Sequence, residues 1–251
     1  MKIWGAIIAF LMLAFIDLAV APSSTLADTE TVETGRLLAV LLDSGRVTVG
    51  SVQALINDPA KGDKGFTSEV FEAQLFHQFK ERTGIDLANL KNEKVPLQAK
   101  RLLPLLVEAS KKVVTTYQPI INKQGLGFKN FIPATFGTQV AALFTAKSGT
   151  YIKQTAPPSI LRNAKNAPDE FEAAMLQKFA DPTYPRQGEK IVSATVEGGK
   201  AVRVVLPLFY GKNCLSCHGD PKGERDLSGY LREGGKAGDL GGAISVRVQA
   251  H

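Results

Sequence analysis

The chain has 251 residues, of which 44% are apolar and 22% charged, and a formal net charge of +6. That length suits one large domain or two small ones with a packed core, and the ordinary composition excludes a disordered chain or a multi-span membrane protein. The positive surplus is scattered in short pairs such as Lys111-Lys112, which argues against a nucleic-acid patch.

Residues 1–27 read as a targeting segment. Lys2 supplies a positive start, Ile3 to Phe15 is an apolar run, and Thr25-Leu26-Ala27 before Asp28 suits a signal-peptidase site. Asp17 interrupts the run, and a spanning helix needs ~20 mostly apolar residues. The expectation is a cleaved signal peptide or a retained N-terminal anchor. Either places residues 28–251 outside the cytoplasm, as a periplasmic or exported single domain.

Helices are expected first. Leu37, Leu38, Leu41, Leu42, Val52, Leu55 and Ile56 share one face of a helix over 31–57, weakened at Gly45 and Gly50. Phe71, Leu75 and Phe79 repeat every four residues before a stop at Gly84. A third helix covers about 97–117, with Pro104 as a kink or break. Residues 132–146 form another, with Phe136, Val140, Leu143 and Phe144 on one side. Pro168-Asp169 opens a helix carrying Phe171, Met175, Leu176 and Phe179, with Asp169 and Glu170 at its positive end.

Beyond Tyr184 the period changes to two. Residues 191–197 and 200–209 read as strands joined at Gly198-Gly199, and 243–248 as a last strand. The fold class is therefore α+β: an antiparallel sheet with an N-terminal helical layer.

Only two cysteines occur, in Cys214-Leu-Ser-Cys217-His218, between the hairpin and the last strand. Two thiols at this spacing can add to the two vinyl groups of haem, and the following histidine can ligate the iron. One covalently bound c-type haem is the reading, with Cys214 and Cys217 as attachment points and His218 as metal ligand. A thiol redox pair lacks the usual strand-then-helix setting. A zinc site would need further ligands, and the remaining histidines are His77 and His251. Asp220, just after the motif, is a candidate to orient the His218 ring, and its plainer role is that of a turn residue.

The segment Leu161-Arg-Asn-Ala-Lys-Asn-Ala-Pro-Asp-Glu-Phe-Glu172, taken with that motif, resembles the Tll-type c-haem-binding domain family. Asn57 to Phe66, Phe131 to Phe136 and Gly238 to Gly242 are similar to it as well, so the resemblance spans nearly all of 28–251. It implies a PAS-like sheet, one c-type haem and a sensory role. Ala164 stands where the family usually has proline. Some members ligate the iron with a further cysteine, and this chain has no third one.

The sixth position of the iron is then vacant or held by His77 or Met175, although Met175 shares the apolar face of Phe171 and Phe179. Arg162 is a candidate cofactor contact through a haem propionate. Otherwise it is exposed, with Asn163 and Asn166 turning the chain into the next helix. The function expected is a non-enzymatic haem-based sensor of redox state or of a small gas. The alternative is a periplasmic electron-transfer cytochrome with a redox partner protein. A homodimer is compatible with either.

Overall fold

The computed structural model describes residues 24–250. The 1–27 targeting reading lies outside the described residues as far as residue 23. No helix among the described residues is long and apolar enough to cross a membrane.

Helix α1 (Ser24–Ser51) is the centre of the molecule. Leu37, Leu38, Val40 and Leu42 are fully buried, because α1 meets α3 (Ser68–Thr83), α4 (Leu97–Ile121), α5 (Pro133–Ser148) and the sheet. The helix expected over 31–57, weakened at its glycines, is interrupted just after Gly50. Val52 leaves helical geometry and α2 (Gln53–Asn57) continues beyond it. Gly45 remains inside α1, since a Cβ there would stand 2.8 Å from the Phe136 ring of α5. The glycine serves close packing there.

Helix α3 begins at Thr67, whose hydroxyl accepts the Val70 amide, and ends at Gly84 with φ 74°. Its Phe71, Leu75 and Phe79 are all buried, as their spacing predicts. Of the kink or break expected at Pro104, helix α4 has no break. It runs unbroken through Pro104 and Pro119, with ten residues buried along one stripe. Burial of that stripe outweighs the hydrogen bond Pro104 cannot make, about 3 kcal/mol with its steric cost. In α5 the buried face is Phe136, Gly137, Val140, Ala141 and Phe144, whereas Leu143 is exposed.

The sheet is antiparallel, in the order β1 (Tyr151–Thr155), β4 (Leu240–Gln249), β3 (Ala201–Phe209), β2 (Val192–Val196). The β2–β3 hairpin turns through Glu197, Gly198 and Gly199, all with positive φ. β1 was not expected: five residues between a helix and a turn give a weak period-two signal. Because strand side chains alternate, Leu206, Ile244, Val246 and Val248 enter the main core with α1. Val205 and Ala243 face the other way, against Leu176 and Phe179 of α6 (Glu170–Ala180). The architecture is α+β, a helical layer on an antiparallel sheet.

One buried carboxylate ties the second face together. Glu172 is fully buried and accepts bonds from Tyr151 Oη at 2.9 Å, Lys153 Nζ at 2.8 Å and Arg203 Nη2 at 3.0 Å. It also closes a capping box with Asp169 at the start of α6. Removing one partner of a buried ion pair costs about 3–5 kcal/mol, against about 1 kcal/mol for an exposed cap. Glu172→Ala is therefore expected to lower unfolding free energy by about 3–5 kcal/mol in denaturant titration. Asp169→Ala should cost roughly a third of that, and equal losses would show that Glu172 acts only as a cap.

Candidate functional site

The chain leaves β3 at Phe209, passes Tyr210, and winds into a short turn, α7 (Leu215–His218), that begins just after Cys214. Cys214, Cys217 and His218 thus sit on about one helical turn. Both cysteines are free thiols and half-buried. Burial pushes the Cys217 thiol up from its ordinary value, which keeps it protonated near neutral pH.

Tyr210, closely packed by Gly235 and Gly241, fixes the ring of His218. The imidazole stacks on Tyr210 with centroids 4.8 Å apart and an interplanar angle of 23°. Gly235 and Gly241 allow that stack, because a Cβ on either would approach the Tyr210 ring to 2.8 and 2.5 Å. The Gly235 amide also donates to the His218 carbonyl at 2.7 Å. The loop back to β4 therefore closes directly over the motif.

The polar side of His218 is decided by Glu233. Its Oε2 lies 2.9 Å from His218 Nδ1, and the Tyr210 hydroxyl lies 3.1 Å from the same nitrogen. A carboxylate paired with arginine only accepts, so Nδ1 carries the proton. Burial lowers the His218 pKa, Arg162 acts the same way and Glu233 opposes, so the ring is neutral. A neutral imidazole protonated at Nδ1 has its lone pair on Nε2. That is the atom left to bind a metal.

Arg162 stands behind this pair. It donates to Glu233 from Nε at 3.1 Å, to Asp226 Oδ2 from Nη1 at 2.5 Å, and to the Cys217 carbonyl from Nη2 at 2.9 Å. Its guanidinium also lies 5.3 Å from the Tyr230 ring centroid. Arg162 is not the exposed residue of the plainer expectation: its side chain is 18% exposed and engaged by three partners. Burial among these acceptors makes it a clamp on the motif.

The other expected residues separate. Asn163 caps the turn at 164–166 by accepting the Lys165 amide, and Asn166 accepts the Thr138 hydroxyl, so both keep their turn role. Asp220 is a turn residue whose carbonyl accepts from Arg232, and Glu233 is the carboxylate at His218. His77 is on the exposed side of α3, whose contacts are with α1 and α4, and the structure does not bring it to His218. Met175 is partly buried against the cluster of Leu176, Phe179, Val205 and Ala243 on the outer sheet face. Glu233, Asp226 and Tyr210 went unread in the sequence. The only local sign is Gly234-Gly235 after Glu233, which marks a close approach without saying to what.

The family model described as Tll0287-like matches residues 92–249, from just before α4 to the end of β4. The chain belongs to the Tll0287-like family. The match leaves α1 to α3 outside it, so the resemblance is narrower than the sequence reading placed it, and Asn57 to Phe66 lies beyond. Among solved structures, this Tll0287-like chain is similar to the crystal structure of the cyanobacterial heme-protein Tll0287. The two are 18% identical over 61% of this chain and 90% of that one, with a TM-score of 0.40. A comparison with curated proteins finds no match.

The site has a pH signature of its own. Asp226 is buried; burial raises its pKa, but the Ser228 hydroxyl, Arg162 and the Ser228 amide together hold it below the ordinary 3.8. A depressed carboxylate contributes stability above the unfolded value and loses it as pH falls through the folded one. Asp226→Asn is expected to be less stable than the parent at pH 7. The gap should narrow as pH drops below about 4, the ordinary range for aspartate. A gap that stays constant from neutral pH to pH 2.5 in denaturant titrations would exclude this role.

Proposed function

We propose that this chain carries one covalently bound c-type haem and serves outside the cytoplasm as a haem-based sensor of redox state or of a small gas, without catalysing a reaction. The observation that carries the haem reading is the arrangement on α7. Two free thiols and an imidazole sit on one turn, with Nδ1 engaged by Glu233 and Nε2 left for iron. Attachment needs no oxidant. Each S–H adds across a vinyl C=C, forming one C–S bond while the hydrogen goes to the neighbouring carbon. The surroundings suit a porphyrin face, since the loop over Arg162 exposes Leu227, Tyr230 and Leu231 beside a charged clamp.

Haem supplies an iron that changes oxidation state or binds a diatomic ligand. The chain's own residues do the rest. Tyr210 and Glu233 hold the His218 ring in one orientation, and Arg162 holds Cys217 and Glu233 together. A change felt at His218 reaches the 219–242 loop through the Gly235 amide and reaches β4 through Gly241 against Tyr210. That is a physical route from iron to sheet, which supports a sensor reading. The sixth position is taken as open in this reading, supported by His77 being exposed on α3 and Met175 being partly buried against the outer-face cluster. A partner would be a separate protein or a second copy of the chain.

Electron transfer is the second reading. The exposed apolar loop at the motif and the +6 charge support it, as an apolar contact with an acidic partner.

Protein made in a host able to attach haem is expected to keep its chromophore through denaturation, and Cys214→Ala with Cys217→Ala to lose it. Its ferrous spectrum is expected to be high-spin and to shift on adding carbon monoxide or nitric oxide. A low-spin spectrum in both oxidation states that ignores gas would replace the gas sensor by the electron carrier. Parent protein without covalent haem would overturn the whole reading.

A further inference from the structure

We propose that Glu233 is the positioning residue that sets how readily a haem iron on His218 is reduced. The inference rests on the haem reading above and goes beyond it to the tuning of that site.

The argument starts from charge. Arg162 is one cation between two carboxylates, Asp226 and Glu233. The Asp226 side chain is fully buried, and those of Arg162 and Glu233 are each 18% exposed. The cluster therefore holds one surplus negative charge where water screens it weakly. Both oxygens of Asp226 are already engaged. Asp226 Oδ1 accepts from the Ser228 hydroxyl, the Ser228 amide and the Tyr230 amide, and Asp226 Oδ2 accepts from Arg162. Glu233 Oε2 faces His218 Nδ1 at 2.9 Å, so the surplus is felt at the imidazole.

An imidazole whose N–H points at a carboxylate is a stronger donor through its other nitrogen. It stabilises ferric iron more than ferrous, so Glu233 holds the midpoint potential down. Arg162 limits the effect by sharing the same carboxylate through Nε and Nη2. Tyr210 is the competing partner of Nδ1, at 3.1 Å, and it is neutral, because burial and the Glu233 charge push its phenol well above the ordinary value. Its geometric part, the ring stacked on His218, does not depend on the hydroxyl.

The test is redox potentiometry of haem-loaded protein in four forms: parent, Glu233→Gln, Tyr210→Phe and Glu224→Gln. Glu224 is exposed on the same loop, so its variant removes one charge without touching His218. Glu233→Gln is expected to raise the potential by a tenfold change in ferric-to-ferrous preference, about 59 mV for one electron. Glu224→Gln should stay near the parent, and Tyr210→Phe should stay there or fall. Equal shifts for the two glutamates would overturn the proposal as mere through-space charge. A rise in Tyr210→Phe with none in Glu233→Gln would give the role to Tyr210 instead. If Glu233→Gln does not load haem, Glu233→Asp withdraws the carboxylate by one methylene from Nδ1 and should raise the potential by a smaller step. A potential at the parent value there would overturn the proposal equally. Parent protein with no covalent haem marks failure of the haem reading, whereas haem present with an unmoved potential marks failure of this inference alone.

Discussion

The site depends on one half-buried guanidinium. Arg162 lies 55 residues before the Cys217 carbonyl it holds, 64 before Asp226 and 71 before Glu233. A planar fork of five donors can satisfy all three partners at once, which an ammonium cannot do with the same geometry. Without it two carboxylates would face each other beside a half-buried histidine. Much of the loop between α7 and β4 has little secondary structure of its own, so Arg162 and the glycine contacts give it shape.

The scaffold beneath that clamp follows simpler rules. α1 is sealed between sheet and helices, α4 lays an apolar stripe over it, and the strands alternate between two cores. Glu172 does for the outer sheet face what Arg162 does for the site. Each is a charge withdrawn from water, Glu172 fully and Arg162 in part, with several partners from separate elements, so each specifies which elements meet as well as how strongly. The two clusters lie on either side of the 161–172 segment, where the family-like residues are concentrated.

Legibility differed by element. α3 was readable from its four-residue apolar repeat and the stop at Gly84, and α6 from its opening at Pro168-Asp169 and its apolar residues. The β2–β3 hairpin was readable from its two glycines. At Pro104 a kink or a break was read and the helix does not break, since a local penalty of about 3 kcal/mol says nothing about the burial gained by a helix passing through it. β1 was too short to show a period. Arg162 was legible as a charge with a role at the motif, and its protein partners Glu233, Asp226 and the Cys217 carbonyl were not, because its chemistry is visible in sequence and its neighbours are not.

The sequence by itself determined the chemistry on offer: two thiols and an imidazole at fixed spacing, an α+β order of elements and the family of the chain. Those are local properties, carried by residues within a few positions of each other. Only the tertiary structure decided that Glu233 faces His218, that Tyr210 stacks on it, and that Arg162 joins both to Cys217. These contacts span 8 to 71 residues, and no local pattern encodes which distant carboxylate a buried nitrogen will meet. Chain packing settles that, by bringing the few compatible donors and acceptors into one place and leaving Nε2 as the free atom.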